Sequence, residues 1–306
     1  MTLNLHRSRR FLDNAFGWIM HNLELFNPFP NMIEVTGPDT SLNKALVELG
    51  LMCMLYRRCI EGNSDPRIEN FISFIHDIWQ RPDYQERAVR NPEAFRFYVM
   101  VNNTLLHSGT IESSYHEIIQ RILDQGYVTA TEATPMQVLD LHLMLDTGGF
   151  RHNLPSYDNL YQATFLAKMP PLLYFTNEDV YCITHTLFYL TDFSFHPVSA
   201  IPAVQLPAVC WTIGTLLGIY LRHRHWDLVG ELLLNCECLR WSPPFIFESA
   251  WHSLLDAQLP DGSIPGPGFS NEKMQQLNEL ERKTYCFEQN YHTTLVGALA
   301  CFLTHR

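Results

Sequence analysis

The sequence predicts an all-α protein of about twelve helices in consecutive antiparallel hairpins, on three observations. Apolar residues recur at spacings of three and four in one segment after another. Proline, glycine and Asn-Pro punctuation cuts those segments to lengths usual for globular helices. The alternation expected of strands is scarce.

The elements follow in order. From Ser8 to Phe26, the residues Phe11, Leu12, Ala15, Trp18, Ile19, Leu23 and Phe26 make one helical face, ended by Asn27-Pro28. Thr40 or Ser41 caps a second helix that runs to about Cys59. Asp65-Pro66 starts a third, and Asn91-Pro92 opens a fourth that reaches His107. A fifth covers about Ile111–Gln125, and a sixth runs from Thr134-Pro135 to Gly148-Gly149. Tyr157–Lys168, Asn177–Phe193, Ala208–Arg222, His225–Leu239 and Pro243–Gln258 supply the next five. After a connection of some thirty residues the twelfth begins near Tyr291 and ends at Thr304. Helices two, four, eight and twelve are apolar around most of their circumference, whereas one, three and five keep a polar face. That alternation suits an inner ring of even helices inside an outer ring of odd ones, in a single domain over residues 1–306.

Composition narrows the function. Hydrophobic residues make up 46% and charged ones 17%, below the roughly 25% usual for soluble domains, so many helices should be covered on both faces. The net charge is −11, with no block of Lys and Arg to neutralise a phosphate backbone, which argues against nucleic acid as a partner. Eight cysteines lie scattered, mostly in apolar helical runs, as in a reducing cytoplasm. Phe193 to Leu221 carries no charge, but Pro197, Pro202 and Pro207 shorten its helix below a membrane span. No Walker loop, GxGxxG or GxSxG is present, which removes the common nucleotide-binding and serine-hydrolase classes.

Two stretches carry polar groups that such a helical body does not need for folding. One is Asn290-Tyr291-His292-Thr293-Thr294, placed where the last apolar helix is expected to open into a cavity; the other, Gln258 to Pro267, is too rich in Pro and Gly to be helical. Tyr291-His292-Thr293-Thr294-Leu295, with Gly297 and Leu299, resembles the last inner helix of protein prenyltransferase β subunits, which share an (α/α)6 toroid with squalene-type cyclases. Gln258 to Gly268 is similar to the Gln and Asp-Gly segments of both groups. The resemblance covers about forty residues. It implies a toroid barrel and, at His292, the position of a zinc-ligating histidine. The Asp-x-Cys that supplies the remaining prenyltransferase ligands is absent, and Asp227, beside His225, is its nearest stand-in. The Asp-x-Asp-Asp and Asp-Asp-x-x-Asp motifs of terpene chemistry are absent too.

An echo of the last motif, Thr184-His185-Thr186, sits near the start of helix eight. If His185 and His292 point into one cavity, they can move protons near neutral pH, with Asp261 or Asp227 orienting an imidazole. Tyr291, Thr293, Thr184, Tyr189 and Trp251 are then expected to face a largely apolar small molecule. No cofactor is expected, since HExxH and paired CxxC are absent; zinc could be held only by tertiary contact among Asp227, His292 and His185. The function anticipated is a cytoplasmic biosynthetic enzyme of cyclase or transferase type. Two alternatives stand beside it: a carbohydrate-active toroid using Asp261, Glu248 and Trp251, and a helical scaffold with a closed interior.

Overall fold

The computed structural model describes residues 5–28, 40–60, 65–81, 84, 95–110 and 114–305, and among them there is no strand. The Asn91-Pro92 start and the Ile111 boundary fall outside these residues. Contacts divide the chain into two compact units, one formed by residues 1–22 with 161–306 and the other by residues 23–160.

In the second unit, α2 (Thr40–Cys59) packs on α3 (Pro66–Trp79) and α4 (Phe95–His107), and α4 packs on α5 (Ser114–Asp124) and α7 (Pro135–Thr147). A short α6 (Tyr127–Ala130) lies against α5. The caps read from sequence are present: the Asp65 carboxylate accepts the Arg67 amide with Pro66 in the first turn, and Thr134 with Gln137 closes a capping box. Buried residues run around α2 and α4, while those of α3 keep to one face.

The first unit is assembled around α12 (Trp226–Cys238), which touches α10 (Asn177–Thr191), α11 (Leu206–His223), α13 (Ile246–Asp256) and α15 (Glu279–Thr304). From Asp227 to Cys238 every residue of α12 except Glu237 is buried. Its capping residue is His225, whose Nδ1 accepts the Leu228 amide at 3.3 Å. Close approach to α15 is made by Gly230: a Cβ there would lie 2.8 Å from Val296 Cγ1. α1 (Leu5–His21) packs on α15 and α13.

Several boundaries differ from expectation: the first helix ends at His21, and a separate 3-10 turn covers Leu23–Phe26. The seventh helix is two, α8 (Tyr157–Ala163) and α9 (Phe165–Lys168), because the Thr164 hydroxyl accepts the Ala167 amide and so starts a new helix. The eighth stops at Thr191, since Asp192, Phe193 and Ser194 all have positive φ. The last helix begins twelve residues early, at Glu279, with Asn278 and Glu281 forming its capping box. Residues 279–284 are solvent-facing, so their charges, which read as a connection, are an exposed face. His292 therefore sits in the middle of α15. It is not in a first turn.

The segment from Gln258 to Phe269 is non-helical as expected, and short α14 (Asn271–Gln275) follows it. It is stitched to α15 by the Asn290 and Thr294 side chains. The Ile264 amide donates to Thr294 Oγ1 at 2.9 Å, the Gly266 amide donates to Asn290 Oδ1 at 3.2 Å, and Asn290 Nδ2 donates to Ser263 Oγ at 3.2 Å. Gln258 donates to the Phe11 carbonyl at 2.9 Å and ties the same loop to α1. Gly266 fits only because it lacks a side chain, its Cβ position lying 2.0 Å from the Gln289 carbonyl oxygen. Among the described residues no helix is long and apolar enough to cross a membrane, and no disulfide joins any of the eight cysteines.

Candidate functional site

On α12, Asp227 and Glu231 are the only charges between Trp226 and Asn235. One turn apart, they share a face, and both are 2% exposed. Placing two carboxylates inside an apolar helix costs several kcal/mol per ion unless partners compensate, so what surrounds them decides what they do.

Imidazoles from two other helices meet them. His185 of α10 puts Nε2 3.3 Å from Glu231 Oε1. His292 of α15 puts Nε2 3.3 Å from Asp227 Oδ1 and 3.9 Å from Glu231 Oε1. Hydroxyls take the far oxygens: Tyr181 donates to Asp227 Oδ2 and Thr184 to Glu231 Oε2, each at 2.5 Å. Asn235 then donates to the Thr184 carbonyl at 3.1 Å and fixes α10 against α12. Two polar atoms of the cluster stay unsatisfied, Asn235 Oδ1 and Asp227 Oδ1. Asp227 Oδ1 is buried and accepts no hydrogen bond, because His292 Nε2 approaches it without hydrogen-bond alignment.

The two acids differ in their electrostatics. Burial pushes the Asp227 carboxyl above its ordinary range, and Glu231 adds to the rise; His292 and the Tyr181 hydroxyl only partly offset this. Burial would also raise Glu231, but His185, His292 and the Thr184 hydroxyl together hold it below its ordinary value. The Tyr181 phenol is pushed far up by burial and by Asp227, and stays a donor. The ionised Glu231 carboxylate can only accept, so His185 donates from Nε2. The imidazoles are the part of the cluster that solvent reaches, their side chains being 30% and 27% exposed.

The sequence-derived candidates divide accordingly. His185, His292 and Asp227 come together, and Thr184 joins them through Glu231 rather than by facing a ligand. Tyr189 is half-buried with its ring 5.9 Å from that of His185, and Tyr291 is half-buried and stacks on Phe287. Asp261 stands apart. Its carboxylate accepts from the Ser263 amide and hydroxyl, and it lines a cavity of about 620 Å³ with Trp18, Arg282 and Cys286 that none of His185, His292 or Asp227 enters. Thr293 is buried, within van der Waals reach of Gly266, and Trp251 is fully buried in the core; neither offers a face to a small molecule. Glu231 and Tyr181 are the site residues that sequence reasoning missed. The signal for Glu231 was present: an acid at i+4 from Asp227 in a helix whose only other charge is Glu237 in its last turn.

Asp227, Glu231 and His292 offer ligand atoms within 4.8 Å of one another, the spacing that a metal ion needs. The second unit has a histidine–carboxylate group of its own. Asp146, at the end of α7, accepts from Tyr157 at 2.9 Å and pairs with His142 Nδ1 at 3.1 Å and His152 Nε2 at 3.0 Å. His152 Nδ1 accepts the Leu154 amide at 3.3 Å, so its proton sits on Nε2 and points at Asp146. Asp140, one turn before Met144, pairs instead with Arg96 at 3.6 Å.

No curated protein and no solved structure matched the chain. A family model described as a domain of unknown function, DUF6895, matches residues 12–302. Since that match takes in both the α10–α12–α15 cluster and nearly all the rest of the sequence, the chain belongs to the DUF6895 family.

Proposed function

We propose that the protein is a small-molecule enzyme of cyclase or transferase type, which uses the Asp227–Glu231–His185–His292 cluster for acid/base chemistry. One observation carries this: imidazoles from helices more than a hundred residues apart converge on the same Glu231 oxygen while remaining reachable from solvent. A folding role alone gives no reason to keep two buried acids and to leave one of their oxygens unsatisfied. One imidazole takes a proton from the substrate and the other returns one to it, so a cyclisation or isomerisation balances without a co-reactant. Glu231 and Asp227 orient the rings, with Tyr181 and Thr184 holding the carboxylates. Phe188 and Tyr189, whose rings lie 5.8 and 5.9 Å from that of His185, suit a largely apolar substrate. The toroid arrangement belongs to the same proposal. It is supported by α12, buried from Asp227 to Cys238 except at Glu237, and by α11 and α13, which bury one face each. The carbohydrate alternative draws no support, since Trp251 is enclosed, Glu248 is exposed and Asp261 is tied into a turn.

The test is a comparison of small-molecule profiles from cells with and without the gene, alongside cells making His185→Ala or His292→Ala. Both variants should reproduce the profile of the deletion at normal protein level. A wild-type profile from either variant, or no difference on deletion, would remove the proposal and leave a helical scaffold.

A further inference from the structure

We infer that Asp227 Oδ1, Glu231 Oε1 and His292 Nε2 form the binding site of one divalent first-row transition cation, with His185 as the proton carrier beside it. This rests on the same cluster as the proposed enzyme but not on its chemistry, and cation binding can be read without turnover.

Geometry gives the first support. Two ligands that bind one ion tetrahedrally at about 2.0–2.2 Å lie roughly 3.3–3.5 Å apart. The His292–Asp227 separation is 3.3 Å, and the His292–Glu231 separation of 3.9 Å closes with a small movement of one side chain.

The division of labour at each carboxylate is the second. Tyr181 and Thr184 occupy Oδ2 and Oε2, so each acid presents its other oxygen to the imidazoles. Hydrogen bonds on the non-coordinating oxygen are what orients a carboxylate ligand.

The third is independent of both. Asp227 Oδ1 is buried without a hydrogen bond, on a residue 2% exposed, and aimed at His292 Nε2. With no cation, a deprotonated Asp227 oxygen there is bare charge in a low-dielectric interior. An ion between the two atoms would satisfy the oxygen and neutralise the pair of acids. Imidazole with carboxylate, and no thiolate in the set, selects Zn²⁺, Mn²⁺, Fe²⁺ or Co²⁺ over Mg²⁺ and Ca²⁺, which prefer oxygen alone. Cation and proton compete for the His292 lone pair, so in the loaded protein His185 carries the proton.

The experiment uses the full chain, stripped with a chelator and titrated with Zn²⁺ by calorimetry. Co²⁺ is added separately to read its visible absorption. The expected result is one equivalent of Zn²⁺, a Co²⁺ band of tetrahedral strength, and a higher melting temperature with Zn²⁺ than with chelator. Asp227→Asn and Glu231→Gln should each weaken Zn²⁺ binding at least 100-fold, and Tyr181→Phe about 10-fold. His142→Ala should leave the stoichiometry at one. Absence of saturable binding to the wild-type protein would overturn the site, as would an equivalent that survives the Asp227→Asn/Glu231→Gln double substitution or is lost with His142→Ala. If the cation binds but deletion leaves the metabolite profile unchanged, the site stands and the proposed enzyme falls.

Discussion

Two groups of histidine and carboxylate in this chain are built from the same residue types and end in opposite states. In the second unit one carboxylate, Asp146, serves two imidazoles and a phenol, and both of its oxygens are filled. In the first unit two carboxylates share two imidazoles, and an oxygen of Asp227 is left over. The Asp146 carboxylate is half in water although its two imidazoles are largely buried, and its hydrogen bonds draw the acid below its ordinary carboxyl range against the opposing effect of burial. In the first group the two carboxylates are enclosed and only the imidazoles reach solvent, and burial drives Asp227 the other way. A saturated acid is a fastener. An acid with an open oxygen in the interior is held there at a cost, and such costs collect at functional sites.

The comparison is broken most directly through activity. Glu231→Gln should lower formation of the product by about 10²-fold or more, the usual scale of general acid/base groups. Asp146→Asn should leave it within the scatter of replicate cultures. Equal losses from the two substitutions would erase the distinction.

Stability should separate the groups by sign. Asp227→Asn in chelator-treated protein relieves a charge that burial and Glu231 both oppose, so its melting temperature should rise. Asp146→Asn should lose about 1 kcal/mol in denaturant unfolding, because three donors lose part of their acceptor and solvent screens the remainder.

Acid sharpens this further. Because the Asp146 carboxyl lies below its ordinary value when folded, its contribution to stability is full above the ordinary carboxylate range and disappears as pH falls through the folded value. His142 acts in the same direction at higher pH. Burial lowers its pKa, so protonation near and below the ordinary imidazole range favours the unfolded chain. Between about pH 5 and pH 3, Asp146→Asn should show a smaller fall in denaturation midpoint than wild type. The smallest effect is expected of Tyr157→Phe. It removes one of three donors to Asp146 and should cost about 0.5–1 kcal/mol in the same assay.

Much of the helical framework was legible because its signals are local. Asp65-Pro66 and Thr134-Pro135 announce helix starts whatever surrounds them, and the caps are where those residues place them. The last helix was misplaced because the charged run from Glu279 carries no apolar stripe, although its local start signal, the Asn278–Glu281 capping box, stands in the sequence. His185 and His292 were found as His-Thr pairs, whereas their meeting through Glu231 is a tertiary fact that no spacing within either motif encodes. Asn290 and Thr294, which read as lining a cavity, hold the Pro-Gly loop instead. A polar side chain facing backbone amides and one facing solvent look alike until the partner segment is in place.

Gly230 lies between the two acids in sequence, at the spot where α12 comes nearest to Val296. The distance from the acid-bearing helix to the one that carries His292 is thus gauged by a missing methyl group. A chain with alanine there would have to turn or shift Val296, so the seam that sets His292 against Asp227 would be repacked at its closest point.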